Sequence, residues 1–189
     1  MPRRHRYAPP DSVHHTINRG NDRRRLFRSK ADFEAFLDLM AWAKHRSPIR
    51  ILAYCLMENH WHMVLWPDRP HAISSFLQRL CTAHSLHLRR MTATSGYGHI
   101  YQDRYHAFLV ESEAYYFHAL RYVEANPLRA GLVPSSQEWP WSSLVERMTG
   151  DRGLLDEGPL ALPATWPDLV DQRVPDGVLD EFRSRLRRH

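Results

Sequence analysis

Two apolar segments lie side by side in the middle of the chain, separated by only two polar residues. Residues 51–57 (ILAYCLM) are apolar on both faces, as expected of a central strand. Glu58 and Asn59 can form a tight turn, after which residues 60–66 (HWHMVLW) resume the extended pattern and end at Pro67. The two segments therefore predict neighbouring strands inside an antiparallel sheet, which limits the chain to folds with a buried sheet.

Strand and helix patterns alternate around these two segments. Residues 13–19 predict a first strand and residues 101–110 a last one. Helical spacing of apolar residues begins after Ser29, recurs at 73–81 and returns after Ser112, and both serines are expected N-caps. The third helix must stop by Asn126, because Pro127 disfavours helix in the residue before it. The order strand, helix, strand, strand, helix, strand, helix predicts an α+β fold with a ferredoxin-like antiparallel sheet and packed helices.

The length of 189 residues favours one domain over two. We expect that domain at residues 1–149, followed by an extension at 150–189 with a basic tail and a short helix at 178–188. The sequence contains no run of about 18 apolar residues that would predict a membrane span. No apolar signal-peptide core follows the charged N-terminus. We therefore expect a cytoplasmic protein with no membrane partner. Cys55 and Cys81 lie in apolar periodic segments and are expected to be buried free thiols.

Arginine makes up almost all of the basic excess. The formal net charge is +5, and arginines concentrate near the N-terminus, in residues 19–28 and in residues 183–188. Guanidinium groups match the geometry of phosphate. This clustering favours a polyanionic partner, nucleic acid first, while a solvated surface with basic tails is the alternative.

His60 and His62 form the sharpest chemical motif. In a strand the side chains at i and i+2 point to the same face, so the two imidazoles project together while Trp61 takes the other face. Two imidazoles at this spacing can ligate one divalent cation. The alternative is two unrelated histidines in a chain that has 13. The adjacent His14 and His15 face opposite ways, so we interpret that pair as partly structural, with a place lining the site.

The third predicted helix carries a tyrosine-rich face. Tyr116 belongs to its apolar stripe, whereas Tyr115, His118, Tyr122 and Asn126 share an adjoining face. Tyr122 and Asn126 are spaced i to i+4, and an amide oxygen suits Mg²⁺ or Mn²⁺. Tyr115 and Tyr116 have no such partner at i+4, which favours Tyr122 as the reactive residue. Tyrosines that only pack their rings are the alternative.

Four segments then resemble a known family. LMENHWH at residues 56–62 resembles the histidine–hydrophobe–histidine block of single-strand DNA transposases and relaxases, the HUH superfamily. YVEANPLRAGLV at residues 122–133 resembles the tyrosine block of the REP-associated tyrosine transposases, the branch tied to repetitive extragenic palindromes. HTINRGN at residues 15–21 and WPWSS at residues 139–143 are similar to the same branch. The resemblance covers roughly residues 9–149, with the blocks in the family's order.

The resemblance implies an HUH single-tyrosine nuclease fold and assigns roles. His60 and His62 become metal ligands, Tyr122 the nucleophile and Asn126 the third ligand of Mg²⁺ or Mn²⁺. Related insertion-sequence transposases usually have glutamine at the position of Asn126. Arginines that no motif assigns individually are candidate DNA contacts: Arg19, Arg23, Arg24, Arg129 and those of the C-terminus.

The implied activity is metal-dependent nicking and joining of single-stranded DNA at hairpin-forming palindromes, through a 5′-phosphotyrosine. The chain would act as a monomer or homodimer, with no nucleotide cofactor. His118 is a candidate proton relay. Activity should fall below about pH 6, because histidine ligands must be neutral. A non-catalytic, domesticated hairpin-binding regulator and a metal-dependent hydrolase of another kind are the two alternatives.

Overall fold

The computed structural model describes residues 11–91 and 98–172. Four strands and three long helices form the main body: β1 (His14–Arg19), α1 (Lys30–His45), β2 (Ile49–Met57), β3 (His60–Pro67), α2 (Ala72–Met91), β4 (His106–Leu109) and α3 (Glu113–Glu124). Three short helices follow: α4 (Asn126–Arg129), α5 (Ser143–Thr149) and α6 (Trp166–Asp171). No helix in the described residues is long and apolar enough to cross a bilayer.

The four strands form one sheet in the order β2-β3-β1-β4, and every neighbouring pair is antiparallel. This is the split βαβ arrangement that the order of elements predicted, so the α+β, ferredoxin-like class is confirmed. The register places Ile17 opposite His62 and Arg19 opposite His60. Because paired residues share a face, β1 and β3 present their odd-numbered and even-numbered side chains, respectively, to the same side of the sheet.

Each face of the sheet supports its own apolar core. Trp61, Met63 and Leu65 pack with α1 and α2, whereas Val64 packs with α3. The alternation predicted for residues 60–66 is therefore confirmed. His60 and His62 lie on the side of α3, which brings the histidine strand and the tyrosine helix to one face.

Local capping chemistry fixes where the helices begin. The Ser29 hydroxyl accepts from the backbone N–H of Asp32, and the Asp32 carboxylate accepts from the backbone N–H of Ser29, which forms a capping box. Ser112 caps α3 by accepting from the backbone N–H of Tyr115. Both N-caps stand where the sequence predicted them.

One predicted boundary is wrong and another is confirmed. The last strand is only His106–Leu109, because the chain near Tyr101 makes an isolated bridge to Gly20 and then bends before it pairs again. The third helix ends at Glu124, before Asn126, as the position of Pro127 predicted. Ala125 caps it and a new short helix begins, since Pro127 has no N–H to extend the hydrogen-bond ladder.

Residues 150–172 pack on the main body. The backbone of Asp156 donates to the carbonyl of Ile51 at the edge of β2, and Leu154 joins the core on the side of α1. Trp166 lies against α3, where its indole N–H donates to the buried Glu124 carboxylate at 2.7 Å. The division at residue 149 stays a prediction, and the predicted basic helix at 178–188 lies outside the described residues.

Candidate active site

The two histidines of the motif lie side by side on β3. The ring centroids of His60 and His62 are 5.1 Å apart with the ring planes at 83°. His62 is buried and His60 is partly exposed, so the pair opens outward at the end of β3 nearest the turn. The strand geometry predicted this shared face.

Each histidine of the pair has its Nδ1 atom engaged. His60 Nδ1 lies 2.7 Å from Asn59 Oδ1, and Asn59 Nδ2 donates to the Arg23 carbonyl, which orients the amide with its oxygen towards the ring. Since an amide oxygen only accepts, Nδ1 of His60 carries the proton and Nε2 carries the lone pair. His62 Nδ1 lies 2.9 Å from His15 Nε2. Neither Nε2 of the pair has a hydrogen-bond partner within the described ranges.

Burial keeps these imidazoles neutral. Burial lowers the pKa of His60 to about 4, with further lowering by the charges of Arg19 and Arg129. Burial lowers the pKa of His15 to about 3, and it holds that of His62 well below the ordinary value. Neutral imidazole is the form that ligates a metal. We therefore expect activity to fall at a pH lower than the value of about 6 that the sequence alone predicted.

Tyr122 lies against this histidine cluster within the same chain. Its ring centroid is 5.8 Å from that of His62 and 5.8 Å from that of His15, both in edge-on contact. Tyr122 is buried on the inner face of α3. The site thus joins β1, β3 and α3 of a single protomer.

Arg129 covers the other side of the tyrosine. Its guanidinium carbon is 3.9 Å from the centroid of the Tyr122 ring, and Nη1 donates to the Tyr122 carbonyl at 3.0 Å. The sequence assigned Arg129 only to DNA binding and missed this contact. Helical spacing could not predict the contact, because the helix that carries Tyr122 ends at Glu124 and Arg129 lies on the next helix.

Asn126 lies at the start of α4 with its side chain turned back along α3. The amide nitrogen donates to the Tyr122 carbonyl at 3.2 Å, and the residue is 7% exposed. The i to i+4 relation between these residues therefore persists across the break between the helices. Its role as a metal ligand stays a prediction.

The candidate DNA contacts near β1 fall into two groups. Arg19 is partly buried opposite His60, and its Nε atom is buried without a hydrogen-bond partner in the described residues. Arg23 and Arg24 are exposed on the loop after Gly20. That loop closes tightly, since a Cβ on Gly20 would collide with the Arg24 carbonyl oxygen.

The donor set fits a partly protein-bound cation. Two neutral imidazoles and one amide oxygen would form an incomplete coordination sphere, which would leave positions for a phosphate oxygen and water. Among residues 11–91 and 98–172 no cluster of three or more His, Cys, Asp or Glu could hold a metal alone. Water or a bound substrate would thus have to supply the remaining ligands of such a site.

Comparison with known proteins identifies the family of the chain. The family model described as "Transposase IS200 like" matches residues 11–126, more than half of the chain. The chain belongs to the IS200-like transposase family. The match includes His60, His62, Tyr122 and Asn126 and stops before Arg129. A search of curated proteins found no match.

Two solved structures match this family member. A REP-associated tyrosine transposase bound to a REP hairpin matches with a TM-score of 0.63 and 19% identity, over 93% of this chain and 99% of that one. A protein from Deinococcus radiodurans R1 assigned as a transposase matches with a TM-score of 0.45 and 16% identity, over 66% of this chain and 96% of that one. The first match supports the ferredoxin-like architecture over almost the whole chain.

Proposed function

We propose that this chain is a metal-dependent single-strand DNA endonuclease and strand transferase that uses Tyr122 as its nucleophile. The observation that carries the proposal is the contact of the Tyr122 ring with the His62 ring, with centroids 5.8 Å apart. Family membership supports a transposase role. The contact supports a nucleophile that works beside the candidate metal ligands of its own chain, so that one protomer would suffice for the chemistry.

His60 and His62 would hold the cation through their Nε2 atoms, and Asn126 would add its amide oxygen. When bound, a divalent metal supplies Lewis-acid charge at a non-bridging oxygen of the scissile phosphate. The Nδ1 contacts of the histidines keep both rings oriented, as second-shell partners do in metal sites. Burial keeps the imidazoles neutral at pH 7, so no proton competes for the ligating nitrogens.

The covalent step would be an in-line displacement at phosphorus. Tyr122 Oη forms a bond to phosphorus, the bond from phosphorus to the 3′ oxygen breaks, and the phenolic proton ends on that oxygen through solvent. The products are a 5′-phosphotyrosine and a free 3′-hydroxyl. Attack by another 3′-hydroxyl reverses the step and rejoins the strand. Arg129 over the phenol ring stabilises the negative charge that develops on its oxygen.

The substrate would be a hairpin with single-stranded flanks, formed by a repetitive extragenic palindrome in cytoplasmic DNA. The structurally similar transposase is bound to a REP hairpin. In this chain, the exposed Arg23 and Arg24 follow the turn at Gly20, whose N–H donates to the carbonyl of Asn59 next to His60. Phosphates held by this loop would therefore lie beside the candidate site.

The test is a denaturing gel after incubation of the protein with end-labelled hairpin DNA and Mn²⁺. A protein–DNA adduct in wild type, absent in Tyr122→Phe and present in Tyr116→Phe, supports the proposal. Tyr116→Phe is the matched control because it removes a hydroxyl from the same helix. Cleavage without an adduct would assign a hydrolase, and hairpin binding without cleavage would assign a non-catalytic regulator; either result overturns the proposal.

A further inference from the structure

His15 makes direct contact with His62 from the neighbouring strand. The Nε2 atom of His15 is 2.9 Å from Nδ1 of His62, and the rings stack with centroids 5.1 Å apart and planes at 19°. The register explains the contact: Ile17 stands opposite His62, so His15 is its diagonal neighbour on the same face. Both residues are almost completely buried, which excludes water as an alternative partner on the contacting side.

Each histidine of the motif therefore has its Nδ1 atom in contact with a different residue. His60 donates its Nδ1–H to the oxygen of Asn59, which leaves Nε2 as the atom with the lone pair. Between His15 and His62 one nitrogen must donate and the other accept. If His62 donates from Nδ1, both imidazoles of the motif present Nε2 lone pairs outward, the arrangement that two ligands of one ion need.

We propose that His15 is a positioning residue that accepts a hydrogen bond from His62 Nδ1 and so fixes the tautomer of His62 with Nε2 ready for a metal. This inference rests on the proposed function, since it concerns the same metal site. His15 is not a third ligand in this arrangement, because its own Nε2 faces His62 rather than the opening of the site. Its ring also contacts the ring of Tyr122 on α3, so His15 touches both His62 and the candidate nucleophile.

The hydrogen bond and the packing of His15 can be separated by substitution. His15→Gln places an acceptor oxygen where Nε2 stands, whereas His15→Leu fills the space without an acceptor. His14→Leu is the matched control, because the adjacent residue lies on the opposite face and hydrogen-bonds Ser12 instead. Circular dichroism spectra identify the variants that fold.

The first readout is the tautomer of His62 in the metal-free wild-type protein, measured by long-range ¹H–¹⁵N correlation on labelled histidine. The proposal expects a protonated Nδ1 and an unprotonated Nε2. The opposite tautomer in wild type overturns it without any substitution, so a variant that fails to fold does not leave the proposal undecided.

The second readout is Mn²⁺ affinity, measured by electron paramagnetic resonance in the absence of DNA. Loss of a second-shell partner typically weakens metal binding about 10- to 100-fold. We expect that loss in His15→Leu, near wild-type affinity in His15→Gln, and no change in His14→Leu. Equal affinity in His15→Leu and wild type overturns the inference, as does a loss in His15→Gln as large as that in His15→Leu.

The two proposals fail in different ways. If wild type binds no Mn²⁺ at all, the metal assignment of the proposed function is overturned, and the inference about His15 is overturned as well. If wild type binds Mn²⁺ and forms the adduct while His15→Leu does so equally well, only the role of His15 is overturned.

Discussion

Arg129 stacks on the ring of Tyr122 and binds its backbone at the same time. The guanidinium carbon is 3.9 Å from the ring centroid, and Nη1 donates to the Tyr122 carbonyl at 3.0 Å. One side chain therefore fixes the position of the helix end and places a permanent positive charge against the phenol. That charge also helps to keep His15, His60 and His62 neutral. The Arg129 guanidinium therefore acts on both the candidate nucleophile and the neighbouring imidazoles.

The first prediction concerns that charge. Arg129→Met should slow formation of the protein–DNA adduct about 2- to 30-fold, the range that corresponds to a cation–π interaction of about 0.5–2 kcal/mol. The rate of Arg129→Lys should lie between those of wild type and Arg129→Met, because an ammonium keeps the charge but lacks the flat guanidinium face. Single-turnover adduct formation at saturating hairpin measures the rate. Arg121→Met is the control, since it removes the same charge but Arg121 binds the Gln172 carbonyl. An unchanged rate in Arg129→Met would contradict the prediction.

A second prediction separates the two ends of the Asn126 amide. The nitrogen donates to the Tyr122 carbonyl, whereas the oxygen is the predicted metal ligand. Asn126→Asp keeps an oxygen and loses the donor, so Mn²⁺ affinity should be retained. Asn126→Ala loses both and should weaken Mn²⁺ binding on the order of tenfold. Titration of Mn²⁺ by electron paramagnetic resonance measures both. Similar losses in the two variants would show that the oxygen is not a ligand.

The sequence could predict the face on which the candidate site lies, because that depends only on local periodicity. Alternation along β3 put His60 and His62 on one side, and the spacing of α3 set Tyr122 apart from Tyr116. Adjacent His14 and His15 were correctly expected to face opposite ways, and of this pair His15 is the residue that contacts His62. Each of these side-chain directions follows from the repeat lengths of strand and helix alone.

The contacts between elements could not be predicted in this way. His15 and His62 are 47 residues apart in sequence, and their contact depends on the register between the two strands that carry them. The stacking of Arg129 depends on how the chain continues past Pro127, where the helix is broken. The buried Glu124 carboxylate accepts hydrogen bonds from Ser143, at the end of the WPWSS segment, and from Arg147 and Trp166, which lie after the family motifs. Local patterns carry no information on such partners.

That carboxylate gives a third prediction, on stability. Trp166 donates to Oε2 of Glu124, whereas Ser143 and Arg147 both bind Oε1. Trp166→Phe should lower the free energy of unfolding by about 2 kcal/mol, since a hydrogen bond to a buried charged group contributes roughly 1.5–3 kcal/mol. Urea denaturation followed by circular dichroism measures it. Trp42→Phe, at an exposed tryptophan, should change little. Equal stability of the two variants would mean that residues 150–172 do not support α3.

The last prediction concerns pH. A histidine ligand must be neutral to bind metal, and burial together with the charges of Arg19 and Arg129 lowers the pKa of His60 to about 4. Protons therefore compete with the metal only as the pH approaches that value. Mn²⁺ affinity should stay nearly constant from about pH 7 to about pH 5.5 and fall below about pH 5. A histidine in water would begin to lose affinity near its ordinary pKa of about 6.5.

The same titration in Arg19→Met tests the cause. Removal of the positive charge opposite His60 makes protonation of that imidazole easier, so the pH at which Mn²⁺ affinity falls should rise. Arg28→Met, at an exposed arginine of the same basic loop, should leave the profile unchanged. Electron paramagnetic resonance at each pH, with circular dichroism to show that the protein remains folded, provides the measurement. A wild-type midpoint near pH 6.5 would mean that His60 is open to solvent when it binds the metal, and the buried pair would then have to open first.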